Sequence, residues 1–200
     1  PDFMFTSNLK ELYTELIRYF HADPKFVGDL NKGLLLMGPT GTGKTLAMQI
    51  MRLYRQIDNT KMKHYGKYKS MQFDIVPSDE IVYAYMNHGL EGIEKYRRRI
   101  VICIDDIGNE IPQAKNFGNN LDVMGRFLIE RYSMKLMTFA TTNFSMEQMN
   151  ERYDDRVVSR MHGLFNFMIL NGSDYRRQSD EVRDFIYFNN IQKPNASMNV

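Results

Sequence analysis

Two hundred residues suffice for one domain with a substantial core, and nothing in the composition calls for a second. Lysine and arginine outnumber aspartate and glutamate by only 26 to 24, so overall charge is no argument for a nucleic-acid partner and any basic surface has to be local. The single cysteine, Cys103, excludes a disulfide scaffold and fits a reducing, cytoplasmic setting, while the lack of a long apolar run or a signal-peptide pattern predicts no membrane partner.

The chain opens on Pro1 rather than Met, which suggests a trimmed form lacking an N-terminal, partner-binding part. Leu9, Leu12, Leu16, Ile17 and Phe20 recur at helical spacing, which predicts a helix with an apolar stripe over residues 7–20. Residues 33–37, GLLLM, form the kind of short apolar run that becomes a buried parallel strand. That run feeds directly into GPTGTGKT, residues 38–45, and then into a predicted helix over 46–57. In KMKHYGKYK, residues 61–69, basic and aromatic residues interleave before a strand over 71–76. Ser78, with Glu80 shortly after it, is read as the N-cap of a helix running to Tyr96. Arg97, Arg98 and Arg99 then lead into an apolar strand, IVICI, that closes on Asp105 and Asp106. A polar loop over 108–120, a helix over 120–133 and a strand over 136–140 follow, the strand running into Thr141, Thr142 and Asn143. Short helices near 145–152 and 154–161 and a strand over 165–170 complete the pattern. Strands alternating with helices predict an α/β domain over 1–188, with a central parallel five-stranded sheet covered on both faces. The last dozen residues, 189–200, are expected to be a disordered tail.

The eight residues from Gly38 match G-x-x-x-x-G-K-[ST] in full, and they sit between a strand and a helix, the context that this phosphate-binding motif requires. Gly38, Gly41 and Gly43 permit positive φ, which lets main-chain N–H groups turn inward on phosphate oxygens. Pro39, Thr40, Thr42 and Leu46 complete the predicted cradle, Lys44 reaches the β/γ oxygens, and Thr45 is placed to ligate Mg²⁺. Asp105 ends a strand expected beside the phosphate-loop strand or one place removed, where its carboxylate serves the same metal. Asp106 is the candidate for orienting or deprotonating an attacking water, and Asn143, at the next strand end, for holding that water against the γ-phosphate. Arg156 and Arg160 stand four apart on one helical face and could reach across a subunit boundary; Arg176 and Arg177 are candidates for a contact within the chain.

GPTGTGKT, ICIDDIG, ATTNFS, ERYDDRVVSRM and GSDYRR, spread from residue 38 to 177, together resemble the initiator-type AAA+ ATPases, most closely the DnaC/IstB-like group of helicase loaders and transposition helper ATPases. The resemblance implies a three-layer P-loop fold whose helical lid is reduced or absent, because a strand and Arg176 follow the finger helix almost at once. It makes Asp105 and Asp106 the Walker B acids, Asn143 sensor 1, Arg160 the arginine finger with Arg156 second, and Arg176 sensor 2. Asp106 stands where many ATPases of this type carry the longer Glu, a departure that bears on rate rather than binding. ATP and Mg²⁺ are the implied cofactors, and the implied task is assembly on single-stranded DNA with a replicative helicase, or with a transposase as the alternative. Two rival readings are a P-loop small-molecule kinase and an ATP-dependent switch without catalysis. By the residues themselves, Lys61, Lys63, Lys67 and Lys69 with Tyr65 and Tyr68 are a further nucleic-acid candidate, against which a solvated loop is as plain a reading. Relatives of the initiator type place DNA contacts near the segment of Arg97 to Arg99 and build an adenine pocket near the counterparts of Phe3 and Phe5. His21, His64, His88 and His162 show no metal-ligand spacing.

Overall fold

The apolar runs of the sequence become the strands of one parallel sheet. The structure, a computed structural model, describes residues 7–58, 61–116 and 119–170; Phe3, Phe5, Arg176, Arg177 and the predicted tail lie outside the described residues. In chain order the elements are α1 (Ser7–Phe20), β1 (Gly33–Met37), α2 (Lys44–Asp58), β2 (Lys61–His64), β3 (Lys67–Ser70), β4 (Ile75–Pro77), α3 (Ser78–Arg97) and β5 (Val101–Asp105). They continue with β6 (Ala114–Asn116), β7 (Asn119–Leu121), α4 (Val123–Ser133), β8 (Met137–Thr142), α5 (Met146–Arg152), α6 (Asp155–Leu164) and β9 (Phe165–Ile169). The strand order is β4-β5-β8-β1-β9, every pairing parallel.

All residues of β1 and β8 are buried, as expected of central strands covered on both faces. The two-residue period of a strand then divides their side chains between two cores. Leu34 and Leu36 face the α1/α2 side with Phe20, Met48 and Phe139, whereas Leu35 and Met37 face the α3/α4/α6 side with Ile81, Phe127 and Val157. Cys103 is buried on the α1/α2 side, and burial pushes its thiol pKa well above the usual value, which leaves it an inert core residue. Arg131 is also fully buried: its guanidinium donates to the Arg97, Arg99 and Met137 carbonyls at 3.1, 2.8 and 2.7 Å and to Thr138 Oγ1 at 2.7 Å. Those bonds fasten the end of α3 to the start of β8, while burial lowers the Arg131 pKa to about 9.

Several local expectations change. Residues 61–69 are not a loop but the antiparallel hairpin β2–β3, turning at Tyr65 and Gly66. The strand expected over 71–76 shortens to β4, a three-residue edge strand, although Met71 and Phe73 still bury their side chains in the α1/α2 core. The polar loop over 108–120 holds a second small hairpin, β6–β7. In α1 the stripe contains Tyr19, whereas Ile17 is exposed. Pro77, in an extended conformation, takes the N-cap position of α3, and the Ser78 hydroxyl instead donates to the Asp106 carbonyl at 2.9 Å. Gly89 kinks α3 at φ 61°, a left-handed value that favours glycine, beside the Asn116 side chain whose Nδ2 donates to the Met86 carbonyl.

Candidate nucleotide site

Parallel strands bring their carboxyl ends to one edge of the sheet, and there the loops after β1, β5 and β8 meet. The loop after β1 takes the conformations its glycines allow: Gly38, Gly41 and Gly43 have φ of 148°, 82° and 87°. A Cβ on Gly38 would fall 2.2 Å from the Leu170 carbonyl oxygen, so this position also needs glycine for space. α2 starts at Lys44, which directs the unpaired N–H groups and positive dipole end of a fifteen-residue helix at the loop.

Lys44 is only 4% exposed, and its Nζ donates to the carbonyls of Gly38 and Pro39 at 2.7 and 2.8 Å and to Asn143 Oδ1 at 2.8 Å. Asn143 Nδ2 donates in turn to Asp106 Oδ1 at 3.2 Å. One residue along α2, the Thr45 hydroxyl donates to Asp105 Oδ1 at 2.8 Å. β5 is one strand removed from β1, with β8 between them, so Asn143 at the end of β8 can touch both sides. The phosphate loop, both acids and Asn143 therefore open onto one site, as the spacing predicts.

The remaining cradle residues fall around the rim. Pro39 and Thr40 are exposed, Thr42 is buried with its hydroxyl on the Pro39 carbonyl at 2.9 Å, and Leu46 is exposed on the first turn of α2. Beside Thr42 a cleft of about 440 Å³ runs between α1 and β9, lined by Leu9, Leu12, Phe26, Phe167 and Leu170. Its size and mixed lining suit a small organic ligand. Arg156 is exposed on α6, and the Arg160 guanidinium lies 5.1 Å over the Tyr132 ring. Neither belongs to the hydrogen-bonded set around Lys44 and the acids. The last turn of α6 leads into Phe165, paired with Gly33 at the amino end of β1, so Arg160 lies toward the end of the sheet opposite the phosphate loop.

Four participants escaped the sequence reading. The Thr141 hydroxyl donates to Asp105 Oδ1 at 2.6 Å and accepts from the Asp106 amide at 2.9 Å. With Ser78 on its carbonyl, this bond holds Asp106 at φ 57°, a strained value for a residue with a side chain. Glu110, buried two residues past Gly108, accepts from the Gly108 amide at 2.8 Å, from Arg152 at 2.8 Å and from the Tyr153 hydroxyl at 2.6 Å. Burial and the neighbouring Glu110 carboxylate raise the Tyr153 pKa well above its ordinary value, which keeps that hydroxyl a donor. A strand extended by one residue would have included Thr141. The Glu110 pair, 42 residues apart in sequence, leaves no local signal.

No protein-family model matches the chain, and no curated protein matches it in sequence. Solved structures do match. The chain is similar to DnaI, at 23% identity over 87% of each chain with a TM-score of 0.57. It is similar to the DnaC helicase loader, at 17% identity over 83% of this chain and 92% of that one, again with a TM-score of 0.57. AMPPCP-bound DnaA from Aquifex aeolicus matches at 17% identity over 94% of this chain and 54% of that one, with a TM-score of 0.53. The likeness is one of fold: a five-stranded parallel sheet between helical layers, the α/β P-loop architecture of the AAA+ type. The place after β9 where a lid would follow lies outside the described residues.

Proposed function

We propose that the chain is an AAA+ ATPase of the helicase-loader kind, which binds Mg-ATP at the carboxyl edge of its sheet and hydrolyses it slowly, or only when assembled. One observation carries the reading: Lys44 and Asp106 share Asn143, while Thr45 and Asp105 share a hydrogen bond beside them. The donor set fits the implied metal, since Mg²⁺ favours hard oxygen ligands and usually takes one or two from the protein along with phosphate oxygens. Thr45 and Asp105 would hold it, and when bound it would neutralise charge on the phosphates. Gly38, Gly41 and Gly43 shape the cradle; Lys44 supplies a buried cation that phosphate oxygens would take over from the Gly38 and Pro39 carbonyls; the cleft beside Thr42 would receive the base. Asn143 Nδ2 orients a water toward Asp106, whose carboxylate accepts its proton. Asp106 reaches less far than a glutamate, which is why turnover is expected to be slow.

The fold shared with DnaI and the DnaC helicase loader supports a replicative helicase as the partner, with a transposase as the alternative and single-stranded DNA as the platform for assembly. In such an assembly Arg160, directed away from its own phosphate loop, would serve a neighbour's site, with Arg156 as the second candidate. Arg176 remains the proposed cis contact to the phosphates.

The test is direct. Fluorescent ATP binding and phosphate release are measured for the parent and for Lys44→Ala, with and without single-stranded DNA. Removing two charge-assisted bonds to phosphate is expected to weaken binding by roughly 100-fold, about 3 kcal/mol. Equal affinity of the two proteins would remove the nucleotide reading. Phosphate release by the parent without any added acceptor separates an ATPase from a kinase.

A further inference from the structure

At the other end of the sheet stands a surface that the nucleotide reading does not use. No acid occurs between Asp58 and Asp74, while Lys61, Lys63, Lys67 and Lys69 fall within that stretch, in a chain whose charges otherwise nearly balance. The β2–β3 hairpin sorts these residues. Cross-strand partners share a face, so Lys61 with Ser70 and Lys63 with Tyr68 form the outer face, and Met62 and His64 the buried one. Met62 sits in the α1/α2 core, and the turn is tied down by the Tyr65 amide, which donates to Asn31 Oδ1 at 2.8 Å. Lys61, Lys63 and Tyr68 are exposed on the outer face, Tyr68 by 71%; Lys67, opposite His64, and Lys69, opposite Met62, belong to the other face, and Lys135 adds a cation 4.9 Å over the Tyr65 ring. Among the described residues no carboxylate makes an ion pair with any of these lysines. Asn31 precedes the amino end of β1, so the hairpin lies a full strand length, roughly 16 Å, from the phosphate loop.

Lysines on a two-stranded hairpin have a plain explanation, since charge on an exposed edge blocks strand-to-strand aggregation. That explanation does not account for a tyrosine with most of its ring in solvent between them. We propose that the outer face of this hairpin is a binding site for single-stranded nucleic acid, separate from the nucleotide site and independent of it. Lysines two apart on β2 sit about 7 Å from each other and meet successive backbone phosphates. Tyr68 offers a flat face on which one unpaired base stacks, which a duplex, with its bases already stacked, cannot use.

The experiment follows the fluorescence anisotropy of a fluorescein-labelled oligo(dT) with the full chain over a range of salt. The two outer-face lysines, each meeting one phosphate, predict a log–log salt slope of about −1.4. Tyr68→Ala is expected to weaken binding about tenfold with the slope unchanged. Combined Lys61→Ala and Lys63→Ala is expected to flatten the slope by about 1.4, whereas Lys67→Ala, on the other face, leaves it nearly unchanged. All three variants keep the parent's ATP affinity, and Lys44→Ala keeps the parent's oligo(dT) affinity, so failure here and failure of the nucleotide reading are told apart. The proposal is overturned if the parent does not bind oligo(dT), or if Tyr68→Ala and the double lysine variant both bind it as the parent does. It is equally overturned if a duplex or anionic lipid vesicles bind as tightly and Tyr68→Ala changes nothing, the result of a plain polyanion surface.

Discussion

At the carboxyl end of the sheet Lys44, Thr45, Asp105, Thr141, Asn143 and Asp106 satisfy one another through hydrogen bonds of 2.6–3.2 Å, whereas at the amino end Lys61, Lys63, Lys67 and Tyr68 are exposed and no acid among the described residues pairs with these lysines. The first set is compensated within the chain, so its geometry is fixed in advance and a ligand gains by substituting for bonds already in place. The second is uncompensated, so its energy is realised only when counterions leave a bound polyanion. Damage should therefore register differently at the two ends: disruption of the carboxyl-end network in folding or turnover, disruption of the hairpin in salt-dependent binding.

The largest effect is expected from Arg160→Ala. At concentrations where the parent assembles, nucleotide affinity should stay unchanged while turnover falls by roughly 10³-fold or more. Equal turnover in the two proteins ends the finger assignment and leaves Arg160 as a partner of Tyr132. Next is Glu110→Ala, which strands Arg152 and the Gly108 amide in a buried site and should cost about 3–5 kcal/mol in denaturant unfolding. A loss under about 1 kcal/mol would break the picture of a tightly compensated end. Smaller still is the pH response of the hairpin. Burial, helped by Lys69, lowers the His64 pKa against the raising influences of the Asn31 carbonyl and Asp29, so between that pKa and about 6.5 the unfolded chain binds more protons than the folded one. The stability that His64 contributes is thus complete above about 6.5 and is lost as pH falls through its folded value. An NMR titration midpoint for His64 at or above 6.5 contradicts this. The smallest change is expected from the combined hairpin lysine variant, whose unfolding free energy should stay within about 0.5 kcal/mol of the parent.

The sequence carried the sheet because β1 and β5 are short apolar runs bounded by a motif, β8 is a mostly apolar run interrupted by Thr138, and Gly38 to Thr45 admit few other readings in that setting. The convergence of Lys44, Asp105 and Asn143 was legible for the same reason: the ends of parallel strands must meet at one edge. What was missed is short, polar or long-range. The β2–β3 and β6–β7 hairpins are of three or four residues per strand, with no alternation long enough to stand out from a loop. Ser78 carries the letters of a helix cap, yet Pro77 takes that position and the hydroxyl is drawn to a carbonyl contributed by β5's loop. Glu110 reads as one more polar loop residue until the fold brings α5 over it.

That carboxylate has a mechanical consequence. One of its oxygens grips the backbone just past the paired aspartates, and the other grips Arg152 and Tyr153, where α5 hands over to the helix bearing Arg160. A displacement of that helix is therefore carried through a single carboxylate to the turn that follows Asp105 and Asp106.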